Sequence, residues 1–260
     1  MRDRLKKTRV LWFVLLLELA LFLTLISGKY LESFTNFSAR LFLIAPLERR
    51  TSVFMVLTRL PFQEHGTAKR WEEKIFKGKT RFVVHEENEG VTLSASSRDS
   101  CSGLYAKVDR EAAADLYLSW KWKAVQFPQK KDPGRLSNKS EDDFAARVYV
   151  MFAGPNFFKS DVIEYIWDER ILPGTAATSP YTERVKLLVL QSGPSLPESD
   201  GWQTEERNIR EDYRKLFGKT PSRPISVIAL MSDSDNTGTQ SEAFFAEFTF
   251  KKKLKEEVIR

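Results

Sequence analysis

The chain has 260 residues, with 41 Lys and Arg against 35 Asp and Glu, a formal charge of +6 and a pI near 9.3. Residues 1–28 carry five basic residues against two acidic ones and residues 251–260 again five against two, so the body between them is formally neutral and a nucleic-acid-binding surface is not expected. One cysteine, Cys101, excludes a disulfide framework within the chain and a multi-cysteine metal site, two histidines (His65 and His85) leave little imidazole for zinc or triad chemistry, and 42% hydrophobic with 29% charged residues fits neither a disordered nor a multispanning chain.

The N-terminus combines a basic flank, residues 1–9, with an apolar run of about eighteen residues from Val10 to Ser27 that contains Trp12, Glu18 and Phe22. That length sits at the lower limit for a spanning helix. No small-residue cleavage site follows it, so an uncleaved signal anchor is preferred to a cleaved signal peptide or a buried helix. The positive flank places the N-terminus in the cytoplasm and the main domain outside, as in a single-pass protein of an inner membrane with a periplasmic domain. Glu18 in such a helix is either protonated or packed on a neighbouring helix, or marks a contact inside a larger membrane complex.

Residues 29–66 read as a connector. Tyr30, Phe34, Phe37, Leu41 and Ile44 recur at roughly helical spacing, and SVFMVLTRL (52–60) suits a strand or a short helix before Pro61. The segment either packs on the main domain or meets the membrane or a partner. From Trp71 the pattern changes to nine short alternating segments: RFVVHEE, VTLSASS, SGLYAKVD, DLYLSWKWKAVQF, FAARVYVMFAG, DVIEYIWDE, VKLLVLQSG, ISVIALMSD and EAFFAEFTF. Turn formers separate them. One helix is expected in EERNIREDYRKLFG, with Ile209, Tyr213, Leu216 and Phe217 on one face, Glu205 and Glu206 in the early turns and Gly218 as the stop. The pattern predicts a mainly β fold: a two-sheet, jelly-roll-like sandwich over residues 67–250 with one late helix, behind a transmembrane helix within residues 1–28 and before a basic tail, 251–260.

Several segments in this order, WEEKIFKGKTRF, SGLYAKVD, LSWKWKAV, DDFAARVYVMF, YIWDERILPGT, SPYTERVKLLVLQSG, GWQTEERNIREDYRKLFG and IALMSDSDNTGTQSEAFFAEFTF, resemble the bacterial domain-of-unknown-function family 3047 over roughly residues 62–250. The resemblance implies an exported β-sandwich related in shape to carbohydrate-binding and lectin-like jelly rolls, with no established activity. The chain departs from the family at Glu141, where Gly is expected, and in the charged run Asp168-Glu169-Arg170.

Alternation in LYLSWKWK sets Leu116, Leu118, Trp120 and Trp122 on one face, which suits a core better than a sugar platform. If the long strands share one sheet, Lys121, Lys123, Arg147, Tyr149 and Glu164 form a polar, aromatic-bearing face with Asp142 and Asp143 at its rim. Such a face suits a glycan or an anionic envelope polymer, and an ordinary solvated sheet face has the same pattern. Asp233, Asp235 and Asn236 offer oxygen ligands to calcium, while Asx-turn capping accounts for the same residues. They do not make an EF-hand, since the twelfth position counted from Asp233 is Phe244. No acid pair or nucleophile with a base stands out, and no catalytic residue is assigned. Two functions remain open, a non-catalytic binding module at the cell envelope and an accessory subunit of a membrane complex, with a glycan-active hydrolase a less favoured third.

Overall fold

A computed structural model describes residues 49–62, 70–87, 90–136, 138–155, 159–195 and 200–259. The expected anchor, with Trp12, Glu18 and Phe22, and the proposed helix of residues 30–44 lie outside the described residues. No helix among the described residues is long and apolar enough to cross a membrane. The chain divides into two units, residues 52–255 and a second unit of residues 1–51 with 256–260. Of the second, only 49–51 and 256–259 are described, as strand ends.

The strands, in chain order, are β1 (Arg49–Arg59), β2 (Glu72–Lys77), β3 (Arg81–Glu87), β4 (Gly90–Arg98), β5 (Cys101–Arg110), β6 (Leu116–Gln126), β7 (Ala146–Phe152), β8 (Val162–Asp168), β9 (Ala176–Thr178), β10 (Val185–Ser192), β11 (Gln203–Asn208), β12 (Ile225–Met231) and β13 (Gln240–Ile259), with one α-helix, α1 (Ile209–Phe217). They form two sheets. The first runs β11-β6-β13-β4-β3, with β1 also on β13, and the second runs β2-β5-β12-β7-β8-β10-β9. This is the expected mainly β sandwich with its late helix.

The inner faces meet in an aromatic core. Leu118, Trp120 and Trp122 of β6 and Phe245, Phe248 and Phe250 of β13 pack against Val148 and Val150 of β7, Ile163, Tyr165 and Trp167 of β8, and Ile228 and Leu230 of β12. Trp120 and Trp122 are fully buried, with ring centroids 5.5 Å apart, and Trp122 meets Trp167 at 5.6 Å. Phe245 and Phe248 are three residues apart, a spacing that strict alternation sends to opposite faces. A bulge between Ala246 and Thr249, with Glu247 at φ 57°, returns Phe248 to the core.

The segment at 52–60, open between a strand and a short helix, is strand β1, paired with β13. Two expectations change. Residues 251–259 are not a solvated tail but the continuation of β13. The helix begins only at Ile209, because residues 203–208 pair with β6 as β11 and place Glu205 against the Trp122 indole, 3.2 Å away. Asn208 then caps the helix by accepting the Glu211 N–H at 3.0 Å, and Gly218, at φ 69°, ends it as expected.

Candidate functional site

Strand β8 is buried along its whole length, so both of its faces are covered. The inner face meets the core. The outer face is roofed by residues 127–145, where Leu136 and Phe144 pack on Ile166, Leu187 and Val189 in a second apolar cluster. Polar contacts pin this roof. Lys130 Nζ lies 2.8 Å from the Asp168 carboxylate and 3.7 Å from the Phe144 ring centroid. Glu141, one of the departures from the family sequence, accepts the backbone N–H groups of Lys131 at 2.7 Å and Asp132 at 2.9 Å.

Beneath the roof sits Arg147. Alternation on β7 sends Val148 and Val150 inward and Arg147 and Tyr149 outward, as expected, but Arg147 is not solvated: only 4% of it is exposed. Its Nη1 lies 3.0 Å from Glu164 Oε1, its Nε lies 3.0 Å from Asp233 Oδ1, and its Nη2 lies 3.6 Å from Asp142 Oδ2. The Nε and Glu164 contacts are charge contacts without hydrogen-bond alignment, since Arg147 Nε, Glu164 Oε1 and Asp142 Oδ1 are buried with no hydrogen-bond partner. The guanidinium does donate to the Tyr149 hydroxyl at 3.1 Å and to the Asp142 carbonyl. Burial raises Glu164 to about 7 and raises Asp142 and Asp233 as well, while Arg147 opposes each shift. Three carboxylates around one guanidinium, all buried, make a structural cluster.

Asp143 is committed elsewhere. Its carboxylate accepts the N–H and side-chain amide of Asn236 at 3.2 and 3.1 Å, and the N–H and hydroxyl of Thr237, both at 2.7 Å. It caps the turn before Gly238, whose φ of 66° requires the left-handed region. The Asn236 side-chain oxygen accepts the Tyr181 hydroxyl at 2.9 Å. Of the oxygen ligands offered to calcium, those of Asp233 and Asp235 converge, together with Cys101 Sγ, within 4.8 Å beside the Arg147 charge, while the Asn236 amide nitrogen donates to Asp143 and Asp235.

The proposed polar face divides between the sheets. Lys121 and Lys123 lie on β6, in the six-stranded sheet, where Lys121 pairs with Glu247 at 2.7 Å; Arg147, Tyr149 and Glu164 lie in the other sheet. What the second sheet does present is a row that alternation along single strands does not show. Paired in register across its outer face are Glu72, Tyr105, Ala229, Tyr149 and Glu164. Paired residues share a face. Tyr105, Ala229 and Tyr149 are half-buried, Glu72 is exposed, and the small Ala229 is paired between the two tyrosines. The Tyr105 hydroxyl donates to Glu72 at 2.6 Å, Lys107 reaches the same carboxylate at 3.1 Å, and the 55%-exposed Tyr181 stands near the capped turn. Tyr105, Glu72 and Tyr181 went unnoticed in the sequence because only the strand order reveals their neighbours.

Residues 69–249 match the family described as "Protein of unknown function (DUF3047)". The chain belongs to this family. No curated protein matches the chain significantly. Solved structures similar to the family member described here include a family 11 carbohydrate-binding module from Clostridium thermocellum in complex with a β-1,3-1,4-mixed-linked tetrasaccharide, at TM-score 0.36 and 12% identity, over 74% of this chain and 93% of that one. Endoglucanase cel12A from Rhodothermus marinus is similar at TM-score 0.38 and 10% identity, over 71% and 97%. The xyloglucanase domain of NopAA, a type three effector from Sinorhizobium fredii, in complex with cellobiose, is similar at TM-score 0.42 and 8% identity, over 70% and 93%.

Proposed function

We propose that the protein is a non-catalytic binding module of the cell envelope, held to the inner membrane by its N-terminal apolar segment, with its sandwich on the periplasmic side and a glycan chain as ligand. The observation that carries the reading is the row of Tyr105, Ala229 and Tyr149, paired in register across the outer sheet face beside Glu72 and Lys107. Tyrosine offers a flat apolar ring to a sugar's C–H face. Tyr105 and Tyr149 stand two strands apart, a separation of about 9–10 Å from ordinary strand spacing. Burial of Glu164, Asp142 and Asp233 around Arg147 favours binding over hydrolysis. The basic flank before the apolar run supports the orientation.

Because β1 belongs to the sandwich, the test uses the full-length chain in mild detergent, applied to a glycan array and to isolated envelope polysaccharide. Saturable binding that falls at least about tenfold in Tyr105→Ala and in Tyr149→Ala is expected, with Lys121→Ala and Lys123→Ala unchanged. Failure to retain any glycan overturns the reading. A second reading, an accessory subunit of a membrane complex, is favoured by the exposed Met55, Val56 and Leu57 on β1. Co-purification of a stoichiometric partner that Val56→Lys releases would support it.

A further inference from the structure

At the opposite end of β7 from Arg147, where β7 ends and β8, β10 and β12 begin beside the end of α1, lies a cavity of about 240 Å3. Its polar lining is one-sided in charge: Lys159, Arg184, Lys219 and Arg223 against a single acid, Asp161. The acid is fully engaged. Asp161 Oδ1 lies 2.8 Å from Arg184 Nη1, and Oδ2 accepts the Tyr213 hydroxyl at 2.6 Å and Lys219 at 3.2 Å. Burial alone would raise the Asp161 carboxyl, but the hydrogen bonds from Tyr213 and Lys219 and the Lys219 and Arg184 charges hold it below the usual carboxylate range.

Donors exceed acceptors here. A guanidinium carries five N–H groups and an ammonium three, and Asp161 has two oxygens, so most donors of Arg184, Lys219 and Arg223 are left for solvent or a ligand. Beside the cavity, Gly154 approaches the Lys159 backbone so closely that a Cβ there would lie 2.5 Å from the Lys159 carbonyl oxygen.

We infer that this cavity is an anion site for a phosphate monoester. With Asp161 ionised, Arg184, Lys219 and Arg223 leave a formal excess of two positive charges. A dianionic phosphate balances that excess better than a monoanionic carboxylate does, and arginine and lysine together suit its tetrahedral oxygens. The cavity has room for one phosphate group with a small substituent and none for a folded chain. The site shares no residue with the tyrosine row on the outer sheet face.

Titration calorimetry of the full-length chain in mild detergent at low ionic strength, with inorganic phosphate as probe, tests the site. A dissociation constant of about 1 mM or tighter is expected. Lys219→Gln combined with Arg223→Gln, in a variant whose melting is shown to match the parent, should weaken it at least about tenfold, while Tyr105→Ala leaves it unchanged. Absence of saturable phosphate binding, equal binding of acetate, or indifference to the double substitution overturns the proposal. Tighter binding of glucose 1-phosphate than of phosphate would point to a soluble ester. Flotation with phosphatidic-acid vesicles, lost in the double variant, would point to a lipid headgroup, and flotation that survives it counts against the site.

Discussion

Arg147 holds three carboxylates that water does not reach, and two kinds of substitution separate its contributions. Arg147→Met leaves Asp142, Glu164 and Asp233 buried without their cation. Breaking a buried pair from one side costs about 3–5 kcal/mol, so urea unfolding at pH 7.5 should show a loss of that order that shrinks at pH 5 as the carboxylates take up protons. Glu164 contributes to the pH dependence, with Asp142 and Asp233 shifted the same way. Its value in the folded chain, about 7, lies above its ordinary 4.5, so between these pH values the folded state keeps a proton that the unfolded chain has lost. Stability therefore falls as pH rises through that window, by roughly 1 kcal/mol per pH unit. Glu164→Gln should reduce this slope, and parallel pH profiles for parent and variant would contradict the assignment. None of this was legible from alternation alone. The outward direction of Arg147 and Glu164 was readable, but their burial depends on a roof packed from residues 127–145, a segment without periodicity.

Elements with strong periodicity were legible and short ones were not. All nine alternating segments are strands, whereas β2, β9 and β11 were missed. β2 is exposed along its length and so has no apolar face to show, and β9 has three residues. The sequence QTEERN is rich in helix formers, yet it becomes β11 because Glu205 meets Trp122 and Gln191, 3.2 and 2.8 Å away, a tertiary preference that overrides propensity. The boundary between β11 and α1 then rests on Asn208, which caps the helix and also donates to the Ala114 carbonyl at 2.7 Å. Asn208→Ala should cost about 1–2 kcal/mol by urea unfolding, with Asn208→Asp keeping the cap and losing only the Ala114 contact. Gly154→Ala should cost about 1–3 kcal/mol, since its Cβ would overlap the Lys159 backbone. If Gly154→Ala melts as the parent does, the close approach is not a constraint on the fold.

At the scale of the molecule, alternation shows which way a side chain leaves its strand but not which sheet the strand joins. Residues 127–145 carry the chain from β6 in one sheet to β7 in the other, which is why Lys121 and Tyr149 ended on different sheets. The same limit applies to the charged ends. The C-terminal basic run looks like a solvated tail in sequence, yet β13 continues through it. Lys251 meets Glu206 at 3.1 Å, Lys252 meets Asp115 at 3.4 Å, and the Lys253 N–H donates to the Asp115 carbonyl at 2.8 Å. Surface ion pairs of this kind contribute little, whereas backbone pairing of the strand is lost only if the chain itself is removed. Neutralising Lys251, Lys252 and Lys253 to Gln should therefore shift the melting temperature by no more than about 2 °C. Deleting residues 251–260 should lower it by about 4–8 °C, the shift expected for a loss of roughly 2 kcal/mol in a domain of this size. Scanning calorimetry of the parent and both variants separates strand from tail. Equal melting of the truncated and parent chains would return the segment to the solvated role, and a large loss in the charge-neutral variant would make its ion pairs, rather than its pairing, the stabilising contact.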